Sequence, residues 1–343
     1  EKFIAPKGSD NWSKQGLLVK AGSDFDYLLK VTNETNADYH GLTLYDTLPR
    51  AGDQDVFAQS ARSSEFPVHL RGPITPPDGY QVRYTTSEEV DHKSMHDMLA
   101  EDVWTDSVSD YASVTAFQIT AKEGTALEKN SVFQVRIPVK AAETFDEAAM
   151  KLLHEKTEQD QPSGTVSYLE AINDFGFRTQ EAPSEKESNT VWARVPFAGF
   201  SAKKVDGTSG SALSGAEFTL TDADGKVIGK TVSDKDGLVQ FRELTEGTYP
   251  LTETKVPDGY QDQKLSATVT ITQNPVTMEY TVSFGDIGTG AGSTADPLRI
   301  PNYTGFALPE TGGSGLLGVY TTGGLLILLA AGLWIFRKHR KGA

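Results

Sequence analysis

The stretch FSAKKVDGTSGSALSGAEFTLTDADGKVIG, Phe200 to Gly229, decides the fold. Phe200, Ala202 and Lys204 alternate with Ser201, Lys203 and Val205, and a period of two puts the first three on one face of a strand. AEFTLTD (216–222) alternates again, and Asp-Ala-Asp-Gly then supplies a hairpin turn. The same pattern recurs in FDYLLKVTN (25–33), VFQVRIPVK (132–140) and SATVTIT (266–272), each bounded by Gly, Pro, Asp or Asn. These stretches predict an all-β chain. Helical patterns are confined to HKSMHDMLAED (92–102) and AAETFDEAAMKLLHEK (141–156), the second read as an insertion crossing one end of a sandwich. RVPFAGF (194–200) marks the boundary between two sandwiches, 1–195 and 196–305, and GDIGTGAGSTADP (285–297) predicts a flexible loop before a last strand.

Length and charge agree with this division. A chain of 343 residues has room for two cores and a terminal appendage. The net charge is −15, and without Arg337, Lys338, Arg340 and Lys341 of the tail the remainder stands near −19, a surface that repels phosphate and argues against nucleic acid. Cysteine is absent, which excludes disulfides and thiolate metal sites, so any covalent staple must use other chemistry. His92 and His96 stand four apart but lack the glutamate of a zincin and a third ligand, so no metal is expected. DADG (222–225) and DKDG (234–237) open like calcium loops without reaching a glutamate at the twelfth position. No nucleophile elbow or phosphate loop is present, so neither a cofactor nor turnover of an external substrate is predicted.

The C-terminus has its own order: LPETG, then an uncharged run, then a basic tail. Leu316 to Phe336 is 21 residues without a charge, which at about 1.5 Å per residue crosses a hydrocarbon core of about 30 Å as a single transmembrane helix. The basic residues of 337–343 then lie in the cytoplasm, with everything upstream outside. Glu1 to Trp12 has neither a basic nor an apolar leader region, so an exported protein would enter here as a C-terminal piece. Leu308, Pro309, Glu310, Thr311 and Gly312, set in a 306–315 spacer before the span, resemble the LPxTG sorting signal of Gram-positive wall-anchored proteins. The resemblance implies a sortase that attacks the Thr311 carbonyl, releases Gly312 onward and passes Thr311 to an amine of peptidoglycan or of a pilin subunit. The chain would thus reach the cell wall after a transient stay in the membrane. Pro309 biases Leu308 towards extended geometry, and Gly312 admits the attacking group.

From Phe200 onward, Lys204-Val205-Asp206, the LSGAEF hairpin, the Tyr249–Thr254 box YPLTET and Asn302 in the last strand resemble the Cna-B-type, prealbumin-like domains of Gram-positive pilins and adhesins. The resemblance implies an isopeptide bond between Lys204 and Asn302, promoted by Glu253. The residue types suit that chemistry. Burial disfavours the ammonium and frees a neutral amine, while an apolar setting keeps a glutamate protonated for proton transfer as ammonia leaves. Upstream, LLVKAGSDFDYLLKVTN, YDTLP, YLEAINDFGF and ESNTVWARV are similar to the isopeptide-forming domains of fimbrial proteins. That likeness implies Lys2 as nucleophile, Asp46 or another buried acid as promoter and Asn189 as acceptor. Lys7 and Lys20 compete with Lys2, Asp46 can instead hold the turn before Pro49, and a sandwich without a bond is the other reading. Taken together, the chain resembles two tandem Ig-like or prealbumin-like sandwiches of an anchored adhesin or minor pilin, with any host surface ligand bound in the first sandwich or upstream. The alternative is the wall-anchoring stalk of a surface enzyme whose catalytic domain precedes residue 1.

Overall fold

A computed structural model describes residues 1–156, 163–285 and 287–305. The sorting pentapeptide, the Leu316–Phe336 span and the basic tail lie outside the described residues, and among those described no helix is long and apolar enough to cross a membrane.

The chain is all-β, as its alternation predicts. Val132–Ala141 shows why: Phe133, Val135, Ile137, Val139 and Ala141 are buried while the residues between them reach the surface. In the first sandwich this strand lies in an antiparallel sheet ordered Lys2–Pro6, Asp24–Thr32, Val132–Ala141, Val68–Leu70. A second sheet, ordered Lys186–Glu187, Gly176–Arg178, Thr43–Thr47, Ala116–Ala121, Tyr80–Thr85, completes it. One core running from Ile4 to Phe197 fills the space. The helical pattern at 92–102 becomes Met95–Ala100, capped by Ser94, and its two methionines pack with Tyr45, Val56, Val90 and Trp104 in a small separate cluster.

The second sandwich sets the sheet Val227–Val232, Glu217–Thr221, Gly247–Lys255, Ser266–Gln273, Tyr280–Ser283 against a shorter one. The centre of that shorter sheet is the strand Val191–Asp206, with Leu238–Leu244 antiparallel on one side and Leu298–Asn302 parallel on the other.

No linker separates the sandwiches at RVPFAGF. Val191–Asp206 is one strand of 16 residues whose first half pairs with Gly164–Asn173 and whose second half enters the second sandwich. The cores divide between Phe197 and Ala198, within that strand. The helix Glu147–Lys156 buries Ala149 and Leu153 beside the junction, and His154 meets Glu243 at 2.8 Å. Lys20 reaches Glu246 at 3.0 Å, an ion pair across the boundary. The 285–297 segment, expected to be flexible, is tied down: Ser201 N–H donates to the Gly292 carbonyl at 2.6 Å and Arg299 N–H to the Thr289 carbonyl at 2.8 Å.

Candidate cross-linking sites

Three strands each end an inward-facing series with a polar side chain. Phe200 and Ala202 lead to Lys204, Tyr249 and Leu251 to Glu253, and Leu298 and Ile300 to Asn302, all buried. The register Asp206↔Asn302 in the parallel pair, with Phe218↔Glu253 in the facing sheet, brings the three together. Lys204 Nζ donates to Asn302 Oδ1 at 2.9 Å and lies 3.1 Å from Glu253 Oε1. Asn302 Nδ2 donates to the same Oε1 at 3.1 Å, so Glu253 faces the amide nitrogen rather than its carbonyl oxygen. Glu253 Oε2 is buried without a partner, the position in which a carboxyl keeps its proton. Phe218 closes the apolar side, its ring centroid 5.6 Å from Nζ.

Burial dominates the electrostatics. It pushes the Lys204 ammonium below the usual lysine range, partly opposed by the Glu253 charge. It holds the Glu253 carboxyl above the usual range, opposed by Lys204 and Asn302. An amine whose charged form burial disfavours, a carboxyl whose charged form burial also disfavours and a carboxamide, in mutual contact, are the groups that amide exchange requires. The DKDG turn closes over the lysine's main chain. Lys204 N–H donates to the Gly237 carbonyl at 2.8 Å, and a Cβ on Gly237, whose φ is +75°, would sit 2.5 Å from the Lys204 carbonyl oxygen.

The first sandwich buries a second lysine. Lys2 Nζ contacts Asp46 Oδ2 at 2.5 Å and the Asp174 carbonyl at 2.9 Å, with both side chains closed to solvent. Burial again lowers Lys2 and raises Asp46, with the two groups' mutual attraction opposing each shift. Lys7 and Lys20 are surface residues paired with Asp24 and Glu246.

Asn189 is not brought to this amine. Its Oδ1 accepts the Lys2 N–H and its Nδ2 donates to the Lys2 carbonyl, both at 2.9 Å, so it brackets the main chain while the side chain points inward. A buried carboxamide next to Asp174 is Asn173, at the end of the inward series Leu169, Ala171, Asn173, with its Nδ2 unpartnered. That series was readable in YLEAIND by the same alternation that turns Lys204 inward. Arg62 had no such signal. Its buried guanidinium meets Asp53 and Asp174 at 2.7 Å each and Asn173 Oδ1 at 3.0 Å. Among the described residues no group of three or more His, Asp or Glu could hold a metal ion.

Comparison with known proteins gives a partial match. No curated protein matches the sequence. Among solved structures, the BcpA major pilin of Bacillus cereus is 15% identical, with 89% of this chain and 71% of that one covered, at a TM-score of 0.37. The group B streptococcus pilus 2b backbone protein is 17% identical over 90% and 99%, at 0.37, and the RrgB pilus backbone of Streptococcus pneumoniae 12% over 89% and 100%, at 0.36. TM-scores this low extend no property of those pilins to this chain. The family model of the SpaA prealbumin-like fold domain matches residues 198–284, so the second sandwich is similar to that domain from the first residue of its own core.

Proposed function

We propose that the chain is a sortase-anchored surface subunit, a minor pilin or adhesin, whose second sandwich is closed by a Lys204–Asn302 isopeptide bond that Glu253 promotes. The observation that carries this reading is the buried contact of Lys204, Glu253 and Asn302. Neutral Nζ attacks the Asn302 carboxamide carbon, the new C–N bond forms, and the bond to Nδ2 breaks. Glu253, beside Nδ2, delivers the proton with which ammonia leaves and takes one from Nζ. In the first sandwich the same chemistry is proposed for Lys2 with Asp46 as promoter, and Asn173 replaces Asn189 as acceptor because its carboxamide is the buried one.

The topology gives the bond a mechanical role. Tension applied at Thr311 would reach Asn302, cross to Lys204 and continue along Val191–Asp206 into the first sandwich, leaving the intervening residues 205–301 unloaded. A hydrogen-bonded strand pair would separate under the same pull. Single-molecule stretching of residues 1–305 tests this. The wild type should release no length from the 204–302 segment, whereas Asn302→Ala should release an extra length of about 330 Å. Equal contour lengths would contradict the proposal. For the anchoring step, Thr311→Ala should shift the protein from the wall fraction to the membrane fraction.

A further inference from the structure

We infer that the base of the second sandwich, centred on the ring of Tyr303, is a docking surface for the transpeptidase that cuts the Leu308–Gly312 pentapeptide. The inference rests on the sorting reading above and adds to it a part of the folded domain. Tyr303 is 44% exposed, one of the few large apolar side chains left open among the described residues. Its ring packs on Gly207, where a Cβ would come within 2.3 Å of ring carbon, so its position is set by the domain.

The chain around it is held by contacts through Thr304. Gly207 N–H donates to the Asn302 carbonyl at 2.8 Å and Gln261 N–H to the Tyr303 carbonyl at 3.1 Å. Tyr260 bridges Thr304, and its hydroxyl donates to Asp206 at 2.7 Å. These contacts place the start of the tether at Gly305. Leu308 is three residues beyond Gly305, at most about 11 Å away, and Thr311 six residues, at most about 21 Å. An enzyme that grips all five residues in extended form leaves Phe306 and Ala307 as the whole spacer. Its groove rim then comes within about 10 Å of Gly305 and meets the exposed Tyr303 and Gln261. The partner that fits is a transpeptidase with an apolar rim patch beside its peptide groove. A half-exposed aromatic ring held rigidly at the centre of a small contact is the usual form of an interface anchor.

The test is cleavage of the full chain in detergent micelles by purified housekeeping-class and pilin-class sortases, with hydroxylamine as acceptor and the free 306–315 peptide as reference. Five proteins are compared: wild type, Tyr303→Ser, Tyr303→Phe, and each of the first two with about ten Gly/Ser residues inserted before Leu308. With at least one enzyme the wild type should exceed the peptide in kcat/KM. Tyr303→Ser should lower it about tenfold at the native tether and leave it within about twofold in the lengthened one, while Tyr303→Phe keeps the rate. An unchanged Tyr303→Ser rate, an equal loss in both tethers, or a peptide cut as fast as the chain would overturn the docking surface while leaving sorting intact. If neither enzyme cuts chain or peptide, the sorting reading itself fails and the surface falls with it.

Discussion

Replacing Glu253 by Gln keeps the side chain's shape and removes its acid. Without a group to move protons beside Asn302 Nδ2, the amide exchange stops and the second sandwich folds without its bond. The lost stability follows from loop length. Lys204 and Asn302 are 98 positions apart, and the chain-entropy relation for a cross-link of that span gives about 4.7 kcal/mol at 25 °C. For a domain of roughly 100 residues each kcal/mol moves the midpoint by about 4–8 °C, so the second sandwich of Glu253→Gln should melt about 20 °C or more below wild type. Differential calorimetry on residues 1–305 reads this directly, with the first sandwich as internal standard. A variant that keeps the Asn302 ammonia yet melts within a few degrees of wild type would refute the chain-entropy argument. One that loses ammonia as completely as wild type would remove Glu253 from the mechanism.

Three further outcomes are expected. Glu187 is pushed up to about 8, chiefly by its hydrogen bond to Asp174 and then by burial. Because its folded-state pKa lies above the ordinary value of about 4.3, its stabilisation is complete below that value and is lost as pH rises through about 8. The urea midpoint of the first sandwich should therefore fall between pH 5 and pH 9, and Glu187→Gln should flatten that slope. Arg62→Met strips Asp53 and Asp174 of their shared cation inside the core, and should cost about 3–5 kcal/mol in denaturant titrations. Gly237→Ala meets both a positive φ and the Lys204 carbonyl, so it should destabilise by about 1–3 kcal/mol and slow bond formation after refolding, followed by mass against time.

The alternation of side chains carried most of this account. Lys204, Glu253 and Asn302 each close an inward i, i+2 series, so burial of all three was legible once the strands were. Lys2, two before Ile4, and Asp46, two after Leu44, follow the same rule. What a period of two does not state is which strands pair and in what register. That is why Asn189 stood for Asn173: both end β-like stretches, and only tertiary pairing shows that one holds the Lys2 main chain while the other enters the core. The uninterrupted Val191–Asp206 strand was hidden for a related reason. RVPFAGF reads as a boundary and the cores divide within it, yet one strand runs through it and pairs on both sides, with its register shift at Ala198 to Phe200. Arg62 sits in a Ser-rich loop whose sequence contains nothing to announce a buried cation.

The most direct test of the central claim is intact mass with peptide mapping of residues 1–305, beside Lys204→Ala and Asn302→Ala. Wild type should carry a branched peptide joining Lys204 to Asn302, and each variant should retain the ammonia which that bond expels. A wild type with Lys204 and Asn302 recovered on separate, unmodified peptides would contradict it.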